Sequence, residues 1–234
     1  MTYRSRQALL ATLVSCTACA SAGAPSPDAA HQHGTEPVAE PAADAHARHA
    51  AVQPHAHHGH VAELPATAGP GYTVADVHFM QMMMGHHAQA IVMSARAPTH
   101  GASDLVLQLA QKIDISQRDE IEMMRQWLLE RGQVVPTDEQ MLAMHMPGML
   151  TPDQMAQLDA VRGAAFDRLF LTLMIQHHEG AVLMVDELFS SPGAAQDSDI
   201  FRFATDVAAD QGDEIFVMYR MLDMLAATGG SRTP

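Results

Sequence analysis

Two His-His pairs, each inside a methionine-rich apolar run, are the residues of this chain best suited to chemistry. The runs are MMMGHHAQAIVM at 82–93 and LMIQHHEGAVLM at 173–184. Placing His86 on His177 and His87 on His178 also matches Met83 with Met174, Ala90 with Ala181 and Met93 with Met184. Further upstream, Asp76 falls on Asp167 and Phe79 on Phe170. Self-similarity at this level outranks any single motif as an architectural signal. Imidazole nitrogen serves Cu, Zn and Ni, and a soft thioether selects Cu(I) or Ag(I). His86, His87, His177 and His178, flanked by Met83, Met93, Met174 and Met184, are therefore a candidate metal-ligand set. The plainer alternative is a core histidine held by hydrogen bonds, because a buried imidazole needs a partner of some kind.

Other donors lie outside the pairs. The segment MLAMHMPGM at 141–149 places Met144, His145, Met146 and Met149 close together, as soft ligands or as a methionine plug on a helical core. Gln117-x-x-Glu120 recurs as Gln211-x-x-Glu214, offering groups that could orient a ligating imidazole from behind. Eight of the fifteen histidines fall between 31 and 60, densest in HAHHGH at 55–60. Such a tract is either a collector of Cu(II), zinc or nickel or a compositionally biased spacer.

The elements that must position these residues are helices. Phe166, Phe170, Leu173, His177, Ala181, Met184 and Leu188 step by three or four, and so do Phe79, Met83, His86, Ala90 and Met93. At least one histidine of each pair should then lie in the core. The spacing predicts four long helices: about 73–97, N-capped by Thr73 and stopped before Pro98; 103–131, ended by Gly132; 161–189; and 199–227. Stripes on the second and fourth run through Gln117 and Gln211. Residues 133–160 form a methionine-rich connector, with a capping box at Thr151 to Gln154 opening a short helix. Two helix hairpins, 72–132 and 161–228, joined by that connector imply an all-α antiparallel four-helix bundle about a pseudo-twofold axis.

Residues 1–15 read as an export leader. Arg4 and Arg6 precede a short apolar run, and Leu13-Val14-Ser15-Cys16 resembles a bacterial lipobox, which makes Cys16 the lipidation site. Ordinary secretion with cleavage near position 20 is the alternative. Two acyl chains on Cys16 would anchor the protein to a membrane on the periplasmic side of the cell envelope. Residues 16–71 have few large apolar side chains and read as a disordered tether. Cys16 and Cys19 are the only cysteines, so a disulfide framework is excluded if Cys16 is lipidated. Loss of a leader with two arginines and no acid takes the net charge from -14 to -16. That argues against nucleic acid and suits cations. Phosphate-loop, dinucleotide and GxSxG signatures are absent from the sequence.

With the doubled M-x-x-HH-x-x-A-x-x-M, the Gln-x-x-Glu-Ile turns and the Met-Pro-Gly-Met linker, residues 72–227 resemble the bacterial domain of unknown function 305 family. The resemblance implies an exported, ferritin-like four-helix bundle, with some members implicated in periplasmic copper binding. It carries the family's His pairs onto His86, His87, His177 and His178, and its linker methionines onto Met144, Met146 and Met149. The expectation is a non-enzymatic copper-binding protein that sequesters copper, or silver, or hands it to a copper-efflux partner, alone or as a homodimer. A structural or partner-binding bundle is the alternative. A di-iron oxidase is disfavoured, because the turns are Gln-x-x-Glu and Met serves hard iron poorly.

Overall fold

The computed structural model describes residues 64–229. The leader, Cys16 and the histidine-rich tract lie outside the described residues. Six α-helices follow in order: α1 Val74–Ser94, α2 Asp104–Glu130, α3 Asp138–Ala143, α4 Pro152–Ala160, α5 Ala164–Ser190 and α6 Ser198–Gly229. The four long ones are the expected bundle. Helix α1 stops at Ser94, and a 3-10 turn at Ala97–Thr99 carries the chain past Pro98. The connector contains α3 as well as the expected α4, because Thr137 and Gln140 form a capping box of the same kind as Thr151 and Gln154. Residues 64–71, assigned from composition to the tether, pack on the bundle. Leu64 and Ala66 rest on the core, and Gln81 Nε2 donates to the Pro65 carbonyl at 3.2 Å. Among the described residues no helix is long and apolar enough to cross a membrane.

Helices α1 and α5 are apolar around most of their circumference and are buried accordingly, whereas α2 and α6 keep a polar outer face. Helix α1 packs on α2, α5 on α6, and α1 on α5.

The two repeats are stapled to each other by matched carboxylates. Asp76, buried in the first turn of α1, caps Thr73 and also accepts from the Ala195 N–H at 2.7 Å, in the turn before α6. That turn needs a fixed partner, since Ala195 has a φ of 54°. Asp167, its counterpart in α5, accepts from the Ser103 N–H at 3.1 Å, at the start of α2. Each repeat thus holds the hairpin loop of the other.

The core is two clusters. One joins the N-terminal half of α1 and the C-terminal half of α5 (Val77 to Met84 with Ala181 to Leu188) to Met124, Leu128, Ile200 and Val207. The other joins Ala90, Met93, Phe166, Phe170 and Met174 to Val106, Ile113, Met218 and Met221. Repeat-mates fall in opposite clusters: Phe79 and Phe170, Met83 and Met174, Ala110 and Ala204, Met124 and Met218. The pseudo-twofold axis therefore runs between the clusters, and α1 and α5 are antiparallel. Between the clusters along each helix come His86, His87, Gln117, His177, His178 and Gln211.

Candidate metal site

All four paired histidines are buried, each with no measurable exposure. The spacing required at least one of each pair in the core; the structure buries both, because α1 and α5 have almost no solvent face at that level. The rings form a row. His86 and His177 meet across the axis with centroids 3.8 Å apart, while His87 stands 6.4 Å from His86 and His178 stands 6.1 Å from His177.

The outer rings are held by the predicted glutamates. His87 Nε2 lies 2.5 Å from Glu120 Oε2, and His178 Nε2 lies 2.7 Å from Glu214 Oε2. His86 Nε2 donates to the Pro147 carbonyl at 3.2 Å. Carboxylate and carbonyl oxygens only accept, so Nε2 carries a proton in all three rings, and a neutral ring then offers its Nδ1 lone pair. The same device orients imidazoles behind metal ions. The Nδ1 atoms of His86, His87 and His178 are buried without a partner, as are both ring nitrogens of His177. Gln117, 1% exposed, leaves both amide atoms unpaired, and Gln211 leaves its Oε1 unpaired. One buried atom left so costs about 1–3 kcal/mol; here they gather in one layer.

Burial, reinforced by the like charges of His87 and His178, pushes the His86 imidazole down to about 3. Burial and then His86 itself push His177 well down. Both rings are neutral at physiological pH, with lone pairs available. Burial pushes the Glu214 carboxyl up, but His178 and the Lys112 ammonium, whose Nζ is 3.2 Å from Glu214 Oε1, together hold it below its ordinary value.

The methionines divide. Met83, Met93, Met174 and Met184 are buried in the clusters on either side of the layer, as are Met144 and Met146 from the connector; Met149 is half-buried. Met144 reaches the connector-facing side of α1: its sulfur lies 2.7 Å from where a side chain at Gly85 would begin. His145 points away from the core, exposed, with Nδ1 donating to the Ala143 carbonyl at 2.9 Å. Among the described residues, no three His, Cys, Asp or Glu side chains group as a ready-made cage. The donor set offered to one ion is two facing imidazoles with thioethers nearby, which suits a soft monovalent ion of low coordination number.

The connector packs on the core as the expected methionine plug, with Met141, Met144 and Met146 buried, and it also covers the pairs, which spacing alone did not show. The connector after α3 runs as a strap along the groove between α1 and α5. A Cβ at Gly180 would lie 2.0 Å from the Pro147 carbonyl, and one at Gly148 only 2.6 Å from the Gln176 carbonyl. Gln89 clamps Leu150 from both sides, accepting from its N–H at 2.7 Å and donating to its carbonyl at 3.0 Å. Gln176 Nε2 donates to the Gly148 carbonyl at 3.2 Å. Glycine lets the strap approach and glutamine ties it down. The signal was present: the pairs are flanked as Gly85-His-His-x-Gln89 and Gln176-His-His-x-Gly180, in opposite order.

The model of the family described as Domain of unknown function (DUF305) matches residues 76–222. A DUF305 protein of Streptomyces coelicolor, provisionally described as secreted, is 28% identical, with a TM-score of 0.58, over 65% of this chain and 94% of that one. A DUF305 fragment from Deinococcus radiodurans is also 28% identical, with a TM-score of 0.58, over 68% and 99%. CopM in its Cu(II)-bound form is 27% identical with a TM-score of 0.52, over 63% and 95%, and it has also been solved with Cu(I) and with Ag. No curated protein matches the chain.

Proposed function

Because the chain belongs to the domain of unknown function 305 family, we propose that it is a non-catalytic copper-binding protein of the cell envelope. The observation that carries the reading is the buried layer between the core clusters. Two neutral imidazoles face each other at 3.8 Å, unpaired nitrogens surround them, and thioether-rich packing lies above and below. A bound soft cation converts unpaired lone pairs into ligand bonds. His86 and His177 are the central ligands in this proposal, with the buried thioethers of Met83, Met93, Met144, Met146, Met174 and Met184 in the packing around them. His87 and His178, fixed by Glu120 and Glu214, lie on either side and extend the row. A relative that holds Cu(I), Cu(II) and Ag supports the same cargo. The protein sequesters the ion or passes it to a copper-efflux partner. The histidine-rich tract at 31–60 gathers Cu(II), zinc or nickel before it, and a diacylated Cys16 holds the protein at the membrane.

The glutamate-histidine contacts alone fit a purely structural bundle with hydrogen-bonded core histidines. That reading accounts for the Nε2 atoms of His87 and His178 but leaves both ring nitrogens of His177, both amide atoms of Gln117 and Oε1 of Gln211 buried without a partner.

The test is anaerobic Cu(I) titration of the full chain against a competing chelator. Stoichiometric binding that is lost when His86→Ala and His177→Ala are combined supports the proposal; unchanged affinity in that variant removes the pair as the site. Cys16→Ser should release the protein from membranes, and persistent attachment counts against the lipid anchor.

A further inference from the structure

The buried row of imidazoles is closed differently on its two flanks. Along α1 and α5 the strap lies on it, with Pro147 on His86 and Gly148 against the backbone of His177. On the other flank are α2 and α6, whose backbones do not pack closely. At mid-height these two helices are spanned by the ion pair from Lys112 to Glu214.

That flank breaks the pseudo-twofold symmetry in charge. The register that places Gln117 on Gln211 and Glu120 on Glu214 places Lys112 on Asp206. The Glu214 half is thus neutralised by an ammonium. The equivalent position in the Glu120 half carries a carboxylate, with Asp210 one turn further along α6. Lys112 is the single lysine of the chain. Asp210 and Asp206 are exposed, and Glu120 is partly open to solvent. Burial and then the charge of Glu120 raise Asp210, with Glu214 and Asp206 adding to the effect and Lys112 opposing it, so these groups share one field. Beneath them lie buried polar atoms with no partner: both amide atoms of Gln117, on the same face of α2 as Glu120 and one turn before it, and Nδ1 of His87, the ring that Glu120 holds.

We propose that the cation cargo enters between α2 and α6 over Asp206, Asp210 and Glu120, and that Lys112 shuts the Glu214 half of the same mouth by occupying it with its own charge. The inference rests on the copper-binding reading and adds the route and its sidedness. Clefts lined by one sign of charge raise capture rates, and a strongly hydrated, compact ammonium is an effective stand-in for an incoming cation. An ion taking this path meets carboxylates at the rim, then the amide of Gln117, then the imidazole row.

The experiment is rapid-mixing capture of Ag(I) alone by the full chain at low ionic strength, quenched into excess chelator, beside equilibrium affinity. Asp206→Asn with Asp210→Asn should slow capture about two- to fivefold, a fraction of the total that a steering field supplies. Lys112→Met should speed it by a similar factor, and Lys112→Arg should keep the native rate. Both effects should vanish near 1 M salt, where the screening length is about 3 Å. If the native chain binds no Ag(I) at equilibrium, the copper-binding reading falls and this inference with it. If it binds normally but these variants capture at the native rate, the route is wrong. Faster capture by Gln89→Ala, which frees Leu150, with no response to the charge variants, would place entry under the strap and overturn the proposal.

Discussion

His86 and His177 come from opposite repeats and meet ring to ring, 3.8 Å between centroids, in the layer that separates the two core clusters. Both are buried and held neutral, and neither ring satisfies its nitrogens in full. A chain selected for stability alone would fill this layer with leucine. The layer has the character of a site built at the expense of stability.

Replacing His177 by leucine removes two unpaired buried nitrogens. The metal-free His177→Leu protein should be more stable than the native one by about 1–3 kcal/mol, while its gain in melting temperature on adding Cu(I) should disappear. Thermal melts with and without Cu(I) read both quantities. A destabilised apo variant that still responds to copper contradicts the assignment.

The pH dependence separates the two groups of histidines. His86 and His177 have folded-state values far below 6.5, so they take up protons on unfolding. For these groups stability is flat above about pH 6.5 and falls as pH drops below it, the His86 contribution being lost by about pH 3. Metal held by the pair should persist below pH 6, because no proton competes for those rings. Metal held at ordinary histidines between 31 and 60 should leave as pH falls through about 6.5. Deleting 31–60 should abolish that acid-labile fraction alone, as measured by metal content after dialysis across the range.

The two glutamates should matter without touching the ion. Glu120→Gln and Glu214→Gln should each weaken Cu(I) affinity about 10–100-fold, the usual effect of disturbing a group that orients a ligating imidazole. Helical circular dichroism should stay native. Native affinity in both variants would make these contacts structural.

Strap and helix meet most tightly at Gly180. Gly180→Ala drives a methyl group into the Pro147 backbone and should destabilise the fold by about 1–3 kcal/mol. Gly85→Ala meets the flexible end of Met144 at 2.7 Å and the Met141 carbonyl at 3.0 Å, a looser backbone contact than at Gly180, and should cost less. Chemical denaturation of the two variants gives the comparison. Equal costs would mean the strap yields as easily as a side chain.

Much of this was legible in advance. The four long helices follow from three-four spacing and from caps such as Thr73 and Gly132. The pairing of the repeats follows from matching His86 with His177. Glu120 and Glu214 were found because they fall one turn from a glutamine that interrupts an apolar stripe. What sequence spacing could not supply was anything that depends on one segment lying across another. The Pro147 carbonyl as a partner for His86 is a backbone atom with no residue signature. Lys112 reads as an ordinary exposed charge until α6 brings Glu214 beside it. Helix α3 is too short for periodicity to detect and is marked chiefly by its cap. His145 lies among donors in sequence but turns outward, because alternate residues of an extended segment face opposite ways while Met144 and Met146 turn in.

The reversed flanks of the two His pairs follow from the direction of the strap. A strap with one chain direction, laid between antiparallel helices, meets Gly85 and then Gln89 on one side, and Gly180 and then Gln176 on the other. Aligned residue for residue, the duplicated halves look mutated at these four positions. Followed from the strap, they are the same word spelled toward the same reader. Because the strap has one direction, exchanging glycine and glutamine in either half would put a side chain where the strap's backbone lies and remove the amide that ties it down.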